Sequence, residues 1–146
     1  MTRRFVLLAA CLAVLSVAAD AQSRHYRARL SPVPLDVAMQ ATVAGSGVVT
    51  ATLNGTTLTL TGNYSGLRTA STVARVHRGP RTAMRGPAIG DLKVTPGTSG
   101  TIAGTLELTK EQVDDLANGR LYIQLHSDKA PDGNIWGWLL PQEGKK

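Results

Sequence analysis

The stretch LYIQLHSDKAPDGNIWGWLL, Leu121 to Leu140, sets two alternating apolar runs on either side of a polar segment, Asp128 to Gly133. Period-two alternation around a polar turn predicts a β-hairpin. The stretch holds both tryptophans, Trp136 and Trp138, together with His126. Two registers are open to it. If Ser127 opposes Asn134, Leu125 faces Trp136 and Ile123 faces Trp138, and both indoles enter a core. If the pairing is offset by one, Leu125 opposes Ile135, Ile123 opposes Gly137 and Leu121 opposes Leu139. The tryptophans then share the opposite face with Tyr122, Gln124 and His126. A one-residue slip moves every side chain to the other face. Hydrophobicity alone favours the first register.

The rest of the chain agrees with a β protein. Val48 to Leu60 reads as a second hairpin, with Val49, Ala51 and Leu53 alternating with threonines. Its turn is expected at Asn54-Gly55, the strongest two-residue turn pair, with Leu58 and Leu60 facing inward beyond it. Gly62 to Gly66 is expected to turn the chain, with Leu67 as a core plug. Thr72 to His77, Ile89 to Val94 and Thr101 to Leu108 read as further strands. In the first of these, Ala74 and Val76 lie on one face and Val73, Arg75 and His77 on the other. Arg78 to Pro87, with two Gly-Pro steps, is an irregular loop. Gln22 to Arg29 is expected to be a frayed start, Leu30 to Asp36 with Pro32 and Pro34 an edge at best, and Val37 to Ala44 a strand. The one helix runs from Lys110 to Asn118. Thr109 caps it, Gln112 completes a capping box, Val113, Leu116 and Ala117 form its buried stripe, and Gly119 ends it. Asp114 and Asp115 read as solvated charge. Seven or more short strands with one short helix predict an all-β antiparallel sandwich or flattened barrel.

The first 21 residues have the layout of a secretory signal: Arg3 and Arg4, an apolar run from Phe5 to Ala19, and small residues at Ala19 and Ala21. That run is shorter than the roughly 20 residues a spanning helix needs. Leu8-Ala9-Ala10-Cys11 resembles a lipoprotein box, but cutting there leaves Leu12 to Ala19 exposed. The expectation is signal peptide 1–21 and one domain, 22–146, secreted or periplasmic, with no membrane span after cleavage. Cys11 is the only cysteine, so the domain has no disulfide, no cysteine nucleophile and no thiolate metal site.

A net charge of +6 and a pI near 10.0 suit anionic partners. A generally basic soluble surface is favoured over nucleic-acid binding, because stacking aromatics are missing between the basic residues from Arg68 to Arg85.

Two segments carry a family resemblance. The first is Ala74-Arg75-Val76-His77-Arg78-Gly79-Pro80, continuing through Gly86-Pro87 to Leu92. The second is Tyr122 to Ser127 with Pro131 to Leu139. Together they resemble the two signature segments of the CHRD domain, a module found in chordin and in secreted microbial proteins. The resemblance implies an immunoglobulin-like sandwich distantly similar to copper–zinc superoxide dismutase. It implies no settled activity. The family usually has His-Ile-His where this chain has Arg75-Val76-His77. Asn134, Trp136 and Trp138 replace a glutamate, an arginine and a glutamine of its last strand. Because the family places polar residues at the tryptophan positions, the resemblance favours the second register, which we adopt.

That register predicts a patch of Tyr122, Gln124, His126, Trp136 and Trp138, with Arg75 and His77 nearby. Such a patch is either a ligand surface or a second small core covered by the helix or a long loop. Aromatic faces beside glutamine, histidine and arginine suit a glycan, a peptide or a partner protein outside the cytoplasm. The alternative is a weak copper or zinc site. His25, His77 and His126 are the only histidines, and His77 and His126 with Asp91 or Asp128 are the candidate ligands. Catalysis is not expected. Ser65, Ser71 and Ser127 lack a nucleophile setting, and Gly45-Ser46-Gly47 lacks the lysine of a phosphate loop. No cofactor is called for.

Overall fold

Leucines and threonines take opposite sides of the sheet, and that division builds the molecule. The computed structural model describes residues 22–33 and 36–143. The expected signal segment 1–21, with Cys11, lies outside the described residues. Strand β2 (Ser46–Asn54) pairs antiparallel with β3 (Thr57–Ser65). Val49, Ala51, Leu53, Leu58 and Leu60 all point inward and are buried. Asn54 pairs with Thr57, so the two-residue connection is Gly55-Thr56 rather than Asn54-Gly55. Gly55 takes the positive φ of +61° that this tight turn requires.

The remaining strands are β1 (Arg24–Pro32), β4 (Ser71–Arg78), β5 (Ala88–Val94), β6 (Gly100–Glu107), β7 (Leu121–Ser127), β8 (Ala130–Trp138) and the short β9 (Leu140–Pro141). Helix α1 spans Lys110–Ala117. Eight strands follow one another in the order β2-β3-β6-β5-β4-β7-β8-β1, and β1 pairs again with β2. Every pairing is antiparallel, so the architecture is a closed eight-stranded barrel or sandwich with one short helix. Closure leaves no long free edge. Tyr26, Leu30, Val76, Ile102, Ile123, Leu125, Ile135 and Leu139 fill the core with the leucines of β2 and β3. Burying a Leu, Ile or Val side chain fully contributes about 1.5–3 kcal/mol.

Three expectations for the N-terminal half are corrected. Gln22 to Arg29 is not frayed: Tyr26, Ala28 and Leu30 alternate into the core and make β1 a central strand. Ala38–Ala41 is a turn of 3-10 helix, not part of a strand. Asp36 starts it by accepting a hydrogen bond from the Met39 amide at 2.9 Å. Strand β3 runs on through Gly62 to Ser65, because Gly62 packs against the backbone of Val48 and Val49, where a side chain has no room. Leu67 does plug the core.

The helix has its expected capping box between Thr109 and Gln112. Its buried face differs: Ala117 is exposed and Asp115 is buried. Asp115 is not solvated charge. Its carboxylate accepts from Arg78 on β4 and, at 3.0 Å, from Arg120, which pins the helix over the end of the barrel.

Candidate binding site

The decisive hairpin takes the second register. Leu125 pairs with Ile135, Ile123 with Gly137, Gln124 with Trp136 and Tyr122 with Trp138. Leu139 bonds back to the Leu121 carbonyl at 2.9 Å. The aliphatic side chains enter the core, and both indoles stand on the outer face with Tyr122, Gln124 and His126. Strand β4 adds Arg75 opposite Gln124 and His77 opposite Tyr122. All seven residues singled out from the sequence therefore share one face of β4-β7-β8.

The face is assembled and then roofed. Its rings pack together: His77 stacks on Tyr122 at 4.9 Å, and Tyr122 lies 4.4 Å from Trp138 and 5.9 Å from Trp136. The loop between β4 and β5 closes over them. The Gly86 carbonyl accepts from Tyr122 Oη at 3.1 Å and from His77 Nδ1 at 3.0 Å, and the Gly86 amide donates to Tyr122 Oη. From the other side comes a bulge in β8. Ser127 pairs with Ala130 and Leu125 with Ile135, so Pro131 to Asn134 lie opposite His126 alone. The hairpin turn is therefore Asp128-Lys129, shorter than the expected Asp128 to Gly133. The Pro131 carbonyl accepts from His126 Nδ1 at 2.7 Å and the Asp132 carbonyl from Gln124 Nε2 at 2.6 Å. Tyr122, Gln124, His126 and Trp136 end up buried. An open patch at these four residues is corrected: the irregular loop and the bulge make them a second small core. Arg75 stays half-exposed and pairs with Asp91 at 2.9 Å.

Trp138 remains half-exposed, and beside it the sheet opens. Strand β1 pairs Ser31 with Trp136 and Arg27 with Leu140. The same register sets Arg29 opposite Trp138 and carries on to the Gln142 amide, which donates to the His25 carbonyl at 2.8 Å. Arg27, Arg29 and Ser31 all face outward. With Val33, Trp136, Trp138, Leu140 and Gln142 they line an open groove of about 410 Å³. The arginines of this groove escaped the sequence reading, although the pattern Tyr26-Arg27-Ala28-Arg29-Leu30-Ser31 alternates as plainly as β2 does.

A model of the CHRD domain family matches residues 14–139 of the chain. The chain belongs to the CHRD domain family. No curated protein and no solved structure matches it. Within this CHRD domain the first signature segment supplies β4 and the roofing loop, and the second supplies β7 and β8. The two signatures are the two halves of one clasp.

The histidines of the clasp have defined roles. Each Nδ1 faces a carbonyl oxygen and must carry the proton, which leaves Nε2 as a bare acceptor. Both Nε2 atoms are buried without a protein partner, as is the Trp136 N–H. Burial pushes the pKa of His77 and of His126 below the usual imidazole value. The carbonyl bonds oppose this shift, and for both residues Arg75 and Arg85 reinforce it. Among the described residues no group of three or more His, Cys, Asp or Glu side chains has a metal-binding arrangement. Asp91 is engaged by Arg75. Ser71 Oγ lies 2.6 Å from Tyr64 Oη, and Ser127 Oγ accepts from Asn134 at 2.8 Å, so both hydroxyls serve the framework.

Proposed function

We propose that this CHRD domain is an exported, non-catalytic binding module that meets its ligand outside the cytoplasm, in the periplasm or beyond. The observation that carries this reading is the half-exposed Trp138 and the outward-facing Arg29 lining one open groove. Beneath it a rigid clasp of Tyr122, Gln124, His126 and Trp136 holds the indole in place. Rigid aromatic platforms flanked by arginines are what binding surfaces are enriched in. The basic n-region, the apolar run and the Ala19-Asp20-Ala21 site support export. The immunoglobulin-like or dismutase-like variety of sandwich belongs to this reading too, supported by the antiparallel pairing and the family.

The test is tryptophan emission during titration with a panel of defined extracellular glycans and peptides, with W138A as control. A saturating change lost in W138A supports the module. Silence across the panel, or a response unchanged in W138A, contradicts it. N-terminal sequencing of the exported protein tests the compartment, with Gln22 expected as the first residue.

The second reading is a weak copper or zinc site at His77 and His126. Carbonyl-anchored Nδ1–H groups with free Nε2 atoms favour it, since that is how ligating imidazoles are held. Two imidazoles are fewer than the three or four ligands such metals take. Metal titration of tag-free protein, read by the histidine NMR resonances, decides it.

A further inference from the structure

The groove beside Trp138 has a chemistry of its own. Its lining contains Arg27 and Arg29 and no carboxylate. Neither arginine has an ion-pair partner among the described residues, whereas Arg75, Arg78 and Arg120 all do. Two unpaired arginines alternate along one strand, their Cα atoms roughly 7 Å apart, and each guanidinium offers a planar fork matched to a carboxylate. Beside them lie the half-buried side chain of Trp138 and the side chain of Leu140, the latter 48% exposed. The site is thus a short apolar floor with cations repeating along one bank.

We propose that this groove binds an acidic polysaccharide, a chain of uronic acid units, with a pyranose ring laid on Trp138 and its carboxylates held by Arg29 and Arg27. The proposal rests on reading the domain as a binding module and names the ligand class for that site. Indole faces take the C–H face of a sugar ring, and the charged fork supplies direction. The Gln142 side chain lines the same groove, its Nε2 donating to the Leu140 and Pro141 carbonyls. An extended peptide is the poorer fit, because β1 is paired on both sides and offers no edge for strand addition. Single-stranded nucleic acid is poorer too, because it uses successive stacking platforms and the groove presents one open indole.

The experiment is titration of the full exported chain with oligogalacturonate at low salt, read by tryptophan emission. Fully methyl-esterified oligomer, polyglutamate and oligo-dT are run beside it. The expected result is saturable binding to oligogalacturonate that weakens with added salt and is at least about 10-fold weaker for the ester, the scale of losing charge-assisted hydrogen bonds. R27Q/R29Q is expected to lose a similar factor with its free-state emission unchanged, since both side chains are exposed and unpaired. W138A is expected to lose the signal and the binding. Equal binding of acid and ester, lost in W138A, overturns the acidic class and leaves the binding module standing. Polyglutamate or oligo-dT binding as tightly as the uronate overturns the saccharide. No saccharide binding at all overturns the proposal, and the module itself falls only if the wider glycan and peptide panel is silent as well.

Discussion

The guanidinium of Arg85 lies 4.4 Å from the ring of Trp136, and its Nη2 donates to the Asp132 carbonyl at 3.1 Å. One side chain from the β4–β5 loop thereby covers the inner indole and joins the roofing loop to the bulge of β8. A cation over an indole in a partly desolvated site contributes about 0.5–2 kcal/mol. R85A should therefore lower stability by about 1 kcal/mol, red-shift the emission of Trp136 and raise its quenching by acrylamide. Unchanged emission in R85A would show that the loop does not cover the ring.

The two clasp histidines give stability a pH dependence whose sign follows from burial. Both are held below the imidazole value of about 6.5 that the unfolded chain keeps. Well above pH 6.5 neither state binds the proton and stability is flat. As pH falls through about 6.5 the unfolded state protonates first, so stability drops, and the drop levels off below the folded-state values. Arg75 and Arg85 add to the effect at both histidines, His126 acts on His77, and Asp132 opposes it at His126. The Tm should be constant from about pH 8 to 7 and fall from about pH 6.5 to 5.5, with a shallower fall in H126Q. A Tm that rises over the lower window would contradict this.

Asp115 holds two arginines from a buried position, its side chain 7% exposed. Breaking a buried ion pair costs about 3–5 kcal/mol. Here both arginines reach solvent, so D115A should cost about 2 kcal/mol, toward the lower range for losing a charged hydrogen-bond partner. Urea denaturation measures it. D114A, one residue away on the exposed side of α1, should be close to neutral. Equal effects of the two would contradict the assigned orientation of the helix.

Gly133 occupies the bulge at φ +121°, and a Cβ there would run into the Gln124 side chain. G133A should cost about 1–3 kcal/mol from backbone strain and displaced packing. It should also loosen the Gln124–Asp132 contact, which amide exchange at residues 132–134 would report. Wild-type exchange in G133A would show that the bulge tolerates a side chain.

The fold was legible where one face of a strand is apolar throughout. Leu58 and Leu60 against their threonines, and Ala74 and Val76 against Arg75 and His77, point the same way in sequence and in structure. Strand β1 was misread because its outward arginines outweighed its inward Tyr26, Ala28 and Leu30 in average polarity. Hydrophobicity alone points the register of β7 and β8 the wrong way, toward both indoles in the core; the family's polar residues at the two tryptophan positions point to the register the structure adopts. The roof could not be read at all. It is made by backbone carbonyls of Gly86, Pro131 and Asp132, and carbonyls carry no sequence signature. Arg85 looked like one more basic loop residue because its partners are distant in the chain.

The account turns on one asymmetry: Trp136 is buried under the clasp with only a rim reaching the groove, whereas Trp138 opens onto it. Quenching of the two single-tryptophan variants W138F and W136F by acrylamide and by iodide tests it most directly. Trp138, alone in W136F, should be quenched strongly by both, and more by iodide at low salt because Arg27 and Arg29 draw the anion. Trp136, alone in W138F, should be protected from both. Equal quenching of the two variants, or protection of Trp138, would contradict the account.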